Sequence, residues 1–243
     1  MKILFSPSEG KTTLATNEPI NQNSFIFPEF YEKRKYILDT YNKYIHSLND
    51  EKLNKYFGIK NGIDFKVNIF KEKTCKAIQR YDGVAYDYLE YNNLDTNSQQ
   101  YIDENTIIFS NLFGAIKANN LIPIYRMKQG RNLPNIEIDK YYKKEFSESL
   151  DNYLKNELII DLRAGHYDKF YKPKQHYFTM KFIKNSKVIS HWAKAYRGIV
   201  LKELAKNNIT TKEELLNLII PNLNIKEIQE TKNKTTIIYE IGE

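Results

Sequence analysis

The first segment whose residue types suit the binding of an anion is SPSEGK, Ser6 to Lys11, which directly follows a short apolar run. Hydroxyl groups, backbone N–H groups near a glycine and an ammonium group can converge on a phosphate at such a junction. The segment lacks the GxxxxGK[ST] spacing of a Walker A loop. An ordinary solvated turn has the same composition, and it is the simpler interpretation of this pattern taken alone.

A second segment, 125–131, places three cations next to a tyrosine. Arg126, Lys128 and Arg131 lie within six residues, beside Tyr125. Such a mixture can bind phosphates through its cations and stack a base on its aromatic ring. The alternative is a charged loop exposed to solvent, which is what such runs usually are.

A third segment, 159–167, sets polar side chains at the carboxyl end of a predicted strand. Asp161 and Arg163 alternate with Leu162, so both can face the same side of that strand. Open α/β sheets bind their ligands at this end of their strands. A structural ion pair between the two side chains is an equally good interpretation.

A fourth segment, 190–198, follows another predicted strand. Lys194 and Arg197 are three residues apart and share one face of a predicted helix, in its first turn. Cations in that turn oppose the helix dipole, which indicates a bound anion there. His191 could act as a general acid or base near neutral pH, although a lone histidine is more often a structural hydrogen-bonding residue.

These segments are positioned by strands and helices that alternate along the chain. Apolar, β-branched runs predict strands, and apolar residues at helical spacing predict helices. The predicted strands cover 2–5, 106–110, 158–162, 177–183, 187–190 and 235–241, and the predicted helices cover 31–47, 51–57, 72–80, 140–155 and 194–207, with a further helix start at 210–214. The alternation predicts a mixed α/β (or α+β) fold. The length suits one large domain over 1–243 or one domain with a helical appendage.

The composition permits a polyanionic partner. The 243 residues include 37 Lys and Arg against 30 Asp and Glu, which gives a net charge of +7. Such an excess suits nucleic acid, although a compositional bias explains the total charge equally well. Cys75 is the single cysteine, which excludes an intramolecular disulfide and a zinc site built on cysteines. We expect Cys75 at a buried position in a helix.

The sequence predicts neither a metal site nor a membrane segment. The four histidines show no HxxxH or HxH spacing, so we expect no metal and no cofactor. No run approaches the ~18 apolar residues of a membrane span, and the apolar run at the start is too short for a signal peptide. These features predict a cytoplasmic protein without a membrane partner, and we expect a monomer.

Six blocks, in this order, resemble the YaaA (peroxide stress protein) family, in the branch that begins with SPSEGK. The blocks are SPSEGK at 6–11, YDGVAY at 81–86, FSNLFGA at 109–115, IPIYRM at 122–127, DLRAGHY at 161–167 and ISHWAKAYRG at 189–198. Another branch starts with SPAKT and has a serine at the position of Arg163. Functions of that branch therefore need not transfer completely to this chain.

The resemblance implies a single-domain α/β architecture, called the cantaloupe fold, with a positively charged cleft. It also implies binding of double-stranded DNA and a role in limiting DNA damage when peroxide and iron combine. A helix-hairpin-helix element is implied near 47–70, where FGIKNG at 57–62 resembles a hairpin that contacts phosphate and carries Lys60. An ordinary corner between two helices is the alternative.

The first functional hypothesis is a DNA-binding protein of the response to hydrogen peroxide, which binds duplex DNA, or a nucleotide-like ligand, in a basic cleft with little sequence specificity. The candidate binding residues are Ser6, Lys11, Lys60, Tyr81, Asn111, Tyr125, Arg126, Lys128, Arg131, Arg163, Tyr167, Lys194 and Arg197. This hypothesis predicts strong salt dependence of binding.

The second hypothesis is an enzyme that acts on a nucleobase, a nucleotide or damaged DNA by a glycosidase-like or transferase-like step. Its candidate catalytic residues are Glu9, Asp161 and His191, because a carboxylate repels phosphates but can stabilise a positively charged sugar centre. The third hypothesis is a structural or partner-binding protein with an incidental basic surface. It predicts that the cations of the four segments do not converge in space.

Overall fold

The computed structural model describes residues 1–185, 187–188 and 192–242. Its strands are β1 (Lys2–Phe5), β2 (Gly10–Lys11), β3 (Thr74–Lys76), β4 (Tyr81–Asp82), β5 (Thr106–Ser110), β6 (Gly114–Lys117), β7 (Leu121–Pro123), β8 (Ile159–Asp161), β9 (Tyr177–Lys184), β10 (Lys187–Val188), β11 (Leu223–Thr231) and β12 (Lys234–Ile241). Its α-helices are α1 (Tyr31–Ser47), α2 (Asp50–Phe57), α3 (Ala77–Arg80), α4 (Val84–Leu89), α5 (Thr96–Asn105), α6 (Ile138–Leu154), α7 (Ala193–Lys206) and α8 (Lys212–Asn217).

One mixed sheet runs through the molecule in the order β11-β12-β9-β8-β1-β5-β6, with β10 paired to the end of β9. The five strands from β12 to β5 are parallel, and β11 and β6 close the two edges in antiparallel orientation. Parallel strands end at the same edge of a sheet, so the loops after β1, β5 and β8 emerge together. Two small antiparallel pairs, β2 with β4 and β3 with β7, lie outside this sheet.

The central strands are buried on both faces, which explains their continuous apolar sequence. Ile3 and Leu4 of β1 and Ile108 of β5 have no exposed surface. Strands covered on both sides read as uninterrupted apolar runs rather than as alternating ones. For this reason the short run at 2–5 could be recognised as a strand.

Two arginines belong to the interior rather than to the basic surface. Arg34 is fully buried, donates to the backbone carbonyls of Phe113 and Ile26, and lies over the ring of Phe25. Arg80 is 1% exposed and donates to the carbonyls of Thr12 and Ile122. Part of the excess positive charge therefore holds backbone segments together and is not available to a ligand.

The predicted mixed α/β fold is confirmed, and several elements match closely. The strands at 2–5 and 106–110 and the helix at 31–47 have the predicted bounds. The helix start at 210–214 is α8, whose capping box joins Thr211 and Glu214 in both directions. The sequence pattern left α5, β6 and β11 without a prediction.

The helix predicted over 72–80 is wrong. Residues 74–76 form β3, which pairs with β7, and only Ala77–Arg80 is helical. A partner distant in the chain outweighs the local helical pattern there. Cys75 is buried as expected, but it lies in this strand and not in a helix.

The segment 47–70 contains α2, a turn and one short 3₁₀ helix, Gly62–Phe65. Gly58 ends α2 at φ +69°, a left-handed conformation that glycine adopts without strain. The side-chain oxygen of Asn54 accepts the N–H of Gly62 at 2.6 Å and closes the hairpin. The helix-hairpin-helix element stays a prediction, since a single 3₁₀ turn follows the hairpin.

Candidate functional site

A cavity of about 510 Å³ opens where β1 and β8 end. Its floor is formed by the last residue of β1 and by the segments that follow the two strands. The described residues that line the cavity are Phe5, Ser6, Pro7, Ser8, Glu9, Gly10, Asp82, Gly83, Val84, Ala85, Tyr86, Gln129, Leu162, Ala164, Tyr167, Lys194 and Arg197. The cavity therefore collects parts of the first, second, third and fourth segments identified in the sequence.

Ser6 fixes the loop after β1 to the loop after β8. Its hydroxyl oxygen accepts the N–H of Ala164 at 2.8 Å, and its backbone carbonyl accepts the hydroxyl of Tyr86 at 2.9 Å. Both bonds lie at the cavity wall. The predicted binding residue Ser6 thus shapes the cavity, and Tyr86 contributes a wall that we did not expect as a site residue.

The side chains of Lys11 and Arg126 donate hydrogen bonds to the backbone of the SPSEGK loop. The Lys11 ammonium donates to the carbonyls of Ser8 and Glu9 at 3.0 and 3.1 Å, and Arg126 donates to the same Glu9 carbonyl at 3.1 Å. The ammonium of Lys11 also lies 4.4 Å from the ring centre of Tyr125. Lys11 and Arg126 therefore lie close together, but their bonds go to the loop backbone and neither lines the cavity.

Burial lowers the pKa of the Lys11 ammonium from 10.5 to about 7, and the nearby charge of Arg126 adds to this shift. Glu9 acts in the opposite direction because its carboxylate favours the charged amine. A lysine with a pKa near neutrality is unusual, and a burial cost of this kind is what lowers it. The charge of the loop is consequently sensitive to pH in the physiological range.

A chain of hydroxyl groups supports the same loop. The hydroxyls of Tyr81 and Tyr125 are 2.8 Å apart, and Ser110 Oγ lies 2.9 Å from the hydroxyl of Tyr125. Both tyrosines are almost completely buried, and burial raises the pKa of Tyr125 to about 12. Tyr81 and Tyr125 therefore pack behind the SPSEGK loop, and neither of them lines the cavity.

Asp161 and Arg163 form a buried ion pair. Arg163 Nε and Nη2 donate to the two carboxylate oxygens of Asp161 at 2.9 and 2.7 Å, and each residue is 6% exposed. Arg163 Nη1 donates to the carbonyls of Tyr167 and Tyr171. The guanidinium of Arg163 therefore donates only to groups of the protein in these bonds. This is the structural ion pair that the sequence left open as an alternative to a ligand site.

Helix α7 brings two cations to the cavity. Lys194 is exposed and Arg197 is partly buried, and both line the cavity one helical turn apart. Burial lowers the pKa of Arg197, while the charge of Asp161 opposes the shift. The expected pairing of these cations on one helix face is present. His191, the third candidate of this segment, lies outside the described residues.

Helix α7 can approach this closely because of Gly198. A Cβ atom there would overlap the carbonyl oxygen of Ala85 in α4. Gly83 precedes α4 at φ +142°, which favours glycine, and a Cβ on it would meet the Ser8 hydroxyl at 2.5 Å. Gly83 of the YDGVAY block and Gly198 of the ISHWAKAYRG block therefore allow α4, α7 and the SPSEGK loop to come into contact.

Three exposed cations, Lys60, Lys128 and Arg131, lie on the turn after α2 and on the 126–131 loop and are here called the basic strip. The stem of Lys128 lies against Gly58, where a Cβ would be 3.2 Å from its Cδ. Arg131 Nη2 donates to the Lys55 carbonyl at 3.1 Å. These contacts fasten the 126–131 loop to α2 and to the hairpin that follows it.

The strip and the cavity meet at Gln129. Its backbone N–H donates to Glu9 Oε1 at 3.1 Å, and Gln129 itself lines the cavity. This bond holds the Glu9 carboxylate in the cavity wall. Nothing in the sequence indicated it, because the donor is a backbone group 120 residues away in the chain.

Tyr167 joins the candidate residues in the cavity wall and is 4% exposed. Asn111 does not line the cavity: it is buried at the end of β5, and its side-chain oxygen has no hydrogen-bond partner among the described residues. Asp82, Tyr86 and Gln129 were not among the candidates. The YDGVAY block contains Asp82 and Tyr86, but its sequence did not indicate which of its residues line the cavity and which lie behind it.

Within the part of the chain that the structure describes, no group of three or more His, Cys, Asp and Glu side chains is placed to hold a metal ion. No helix of these residues is both long and apolar enough to cross a membrane.

Known proteins are similar to this chain over most or nearly all of its length. The sequence profile described as peroxide stress protein YaaA matches residues 1–229. An uncharacterized protein of Campylobacter jejuni is 51% identical over 244 residues, covering 99% of each chain. A UPF0246 protein of Fusobacterium nucleatum is 28% identical, over 96% of this chain and 97% of its own. A UPF0246 protein of Streptomyces coelicolor is 26% identical, over 84% and 82%.

Proposed function

The chain belongs to the peroxide stress protein YaaA family, and we propose that it acts in the peroxide stress response by binding duplex DNA along the basic strip and the mouth of the cavity. The observation that carries this proposal is the continuity of the two surfaces. Gln129 lies in the chain between Lys128 and Arg131, and it also fixes Glu9 in the cavity wall. We therefore infer that the exposed cations of the hairpin and the loop lie next to the opening that Lys194 and Arg197 of α7 line.

The cations that face solvent suit the DNA backbone better than its bases. Lys60 and Lys128 are exposed on a hairpin and a loop, where long flexible side chains can reach phosphates. Phosphate contacts position a protein on the duplex but carry no sequence information. The proposal therefore predicts binding with little sequence preference and with a strong dependence on salt, because each neutralised phosphate releases counterions.

The test is the affinity of a fluorescently labelled duplex, measured by anisotropy at a series of salt concentrations. We expect log K to fall linearly with log salt for the wild type. The double variant Lys60→Ala/Lys128→Ala removes two phosphate contacts, so the slope should become shallower by about 2. Arg126 is unsuitable for this purpose because it holds the Glu9 carbonyl.

Lys232→Ala is the matched control. Lys232 is exposed in the turn between β11 and β12. That turn lies at the edge of the sheet where β9 and β12 begin, opposite the edge with the cavity. The control should bind like the wild type. A wild-type protein without salt-dependent binding, or a double variant that binds as well as the control, would refute the proposal.

One observation favours a second candidate function, an enzyme acting on a nucleotide or nucleobase. Glu9 and Asp82 line the cavity, and its volume lies within the ~300–1,000 Å³ of small-molecule sites. A carboxylate can stabilise a developing positive charge on a sugar. Asp161 is less suited to this role because both of its oxygens are paired with Arg163. Product formation from nucleosides or nucleotides that is lost in Glu9→Ala would support the enzyme, and no turnover of any of them would remove it.

A further inference from the structure

Three properties of the cavity go beyond what backbone binding of duplex DNA requires. A volume of about 510 Å³ cannot admit a duplex. Two aromatic residues, Tyr86 and Tyr167, are among those that line it. It also contains the carboxylate of Glu9, which would repel a phosphate backbone that passed through it.

We propose that the cavity receives a single unpaired nucleotide of a DNA strand. The base would lie inside the cavity, and the adjoining phosphates would contact Lys194 and Arg197. This inference rests on the proposed function, since the basic strip has to hold the strand from which the nucleotide comes. A volume of this size is typical of pockets for one small molecule. The cavity is thus a site for one base, and the strip is a site for the backbone.

The cavity contains an acceptor that suits a base and cationic donors that suit a phosphate. Glu9 Oε1 accepts the N–H of Gln129, while Oε2 has no hydrogen-bond partner among the described residues. A fixed carboxylate accepts the N–H groups that a base shows on its Watson–Crick edge when it is unpaired. Lys194 and Arg197 offer cationic donors for phosphate oxygens at the same cavity.

The aromatic residues suit the face of a base. Proteins that take a base out of the helix hold it against aromatic and apolar side chains, and each stacked base contributes about 1–3 kcal/mol in single-strand binders. Tyr86 is oriented by its bond to the Ser6 carbonyl and by an edge contact with Phe5 at 5.6 Å. Val84, Leu162 and Tyr167 add apolar surface to the same cavity.

The predicted consequence is a preference for DNA in which a nucleotide is already unpaired. Extracting a paired base costs the energy of its pairing and stacking, and a base that is already unpaired costs least. A duplex with a one-nucleotide bulge should therefore bind about tenfold more tightly than the same duplex fully paired, the ratio that corresponds to about 1.4 kcal/mol. Salt should weaken both complexes, since both use the strip.

The experiment compares three labelled duplexes by anisotropy: fully paired, with a one-nucleotide bulge, and with a bulge that lacks its base. The last of these bends like the bulge but offers no base. We expect the wild type to prefer only the bulge that carries a base. Glu9→Gln should reduce that preference about threefold or more, because a neutral amide is a weaker acceptor of base N–H groups than a carboxylate.

Further variants separate the cavity from the strip. Lys60→Ala/Lys128→Ala should weaken all three complexes by the same factor, and Lys232→Ala should change none. A free deoxynucleoside monophosphate should compete with the bulged duplex at millimolar concentration and leave the paired duplex bound.

Several results would overturn the inference. Equal affinity for paired and bulged DNA would leave the proposed function intact and remove the base site. A preference that persists without the base would assign it to bending of the DNA, and a free nucleotide bound more tightly than the bulged strand would make the cavity a small-molecule site. An absence of binding to every duplex would instead refute the proposed function itself.

Discussion

At the scale of single residues, the cations of this chain occupy two kinds of surroundings. Lys11, Arg80 and Arg126 donate to backbone carbonyls and hold the segments around the cavity in place. Lys128 and Lys194 are exposed and have freedom to meet a ligand. A positive charge in the sequence can therefore indicate either a binding surface or its support.

The buried pair of Asp161 and Arg163 gives a direct test of a supporting role. Arg163→Met removes the guanidinium and leaves a buried carboxylate without its partner, which costs about 3–5 kcal/mol in comparable sites. We expect a loss of that order in the free energy of unfolding, measured by urea denaturation. Asp161→Asn/Arg163→Met, which removes both charges, should recover part of the loss. A single variant as stable as the wild type would show that the pair contributes nothing to stability.

The sequence separated these roles only in part. The motifs directed attention to the ends of β1 and β8 and to the start of α7, because strand ends and cations in a first helical turn have recognisable local patterns. The partners of Lys11, Arg126 and Glu9 could not be predicted, since they are backbone groups. Any residue type presents the same N–H and C=O, so no pattern of side chains marks them.

At the scale of elements, the packing of α4 on α7 determines where the cavity rim lies. Gly198 sits where the two helices touch, against the backbone of Ala85 and Leu89. Lys194 and Arg197 precede this contact on the same helix and line the cavity together with Val84 and Ala85 of α4. The position of the rim cations thus depends on the absence of a side chain.

Gly198→Ala should be destabilising although alanine normally favours a helix over glycine by about 1 kcal/mol. The new methyl group would overlap the Ala85 carbonyl, and overpacking of this kind costs about 1–3 kcal/mol. The measurement is the midpoint of thermal unfolding. Gly165→Ala is the matched control, since no described atom lies within 4 Å of the added Cβ. An unchanged midpoint for Gly198→Ala would mean that the overlap costs no more than the helix propensity that alanine gains.

Elements were predictable where their own sequence carries the signal. The α1 helix and the strands β1 and β5 have periodic or continuous apolar residues, and their bounds agree with the prediction. The β3 strand is held by pairing with β7 across a wide chain separation, and β11 is exposed along all but its first residue. Neither has a local apolar pattern of its own, so sequence reasoning could not find them.

At the scale of the whole molecule, the sheet explains why segments so far apart in sequence form one site. Five parallel strands end at one edge, and the loops after β1 and β8 meet there with the start of α7. The antiparallel strands β6 and β11 close the two sides. The cavity is a property of this arrangement, and no single segment contains it.

The stability of the molecule should depend on pH through Lys11. Its pKa in the folded protein is about 7, whereas the ordinary value is 10.5. Between these values the unfolded chain holds a proton that the folded chain has released, so the free energy of unfolding rises with pH by up to about 1.4 kcal/mol per unit. Below pH 7 the lysine is charged in both states, so the free energy of unfolding includes the full cost of burying the charge and no longer changes with pH through this group.

The comparison of the wild type with Lys11→Met isolates this contribution. We expect the stability of the wild type relative to the variant to increase as pH rises from 7 towards 10, measured by urea denaturation at each pH. All other titrating groups are common to both proteins and cancel. A difference that stays constant over this range would mean that the carbonyls of Ser8 and Glu9 and the tyrosine rings keep Lys11 charged.

The position of Cys75 bears on how a member of this family works while hydrogen peroxide is present. Peroxide reacts with thiolates, and the lone thiol of this chain is fully buried, with its pKa raised by that burial. Met127 and Met180 are buried as well. We therefore expect Cys75 and the two buried methionines to stay reduced when the folded protein meets hydrogen peroxide.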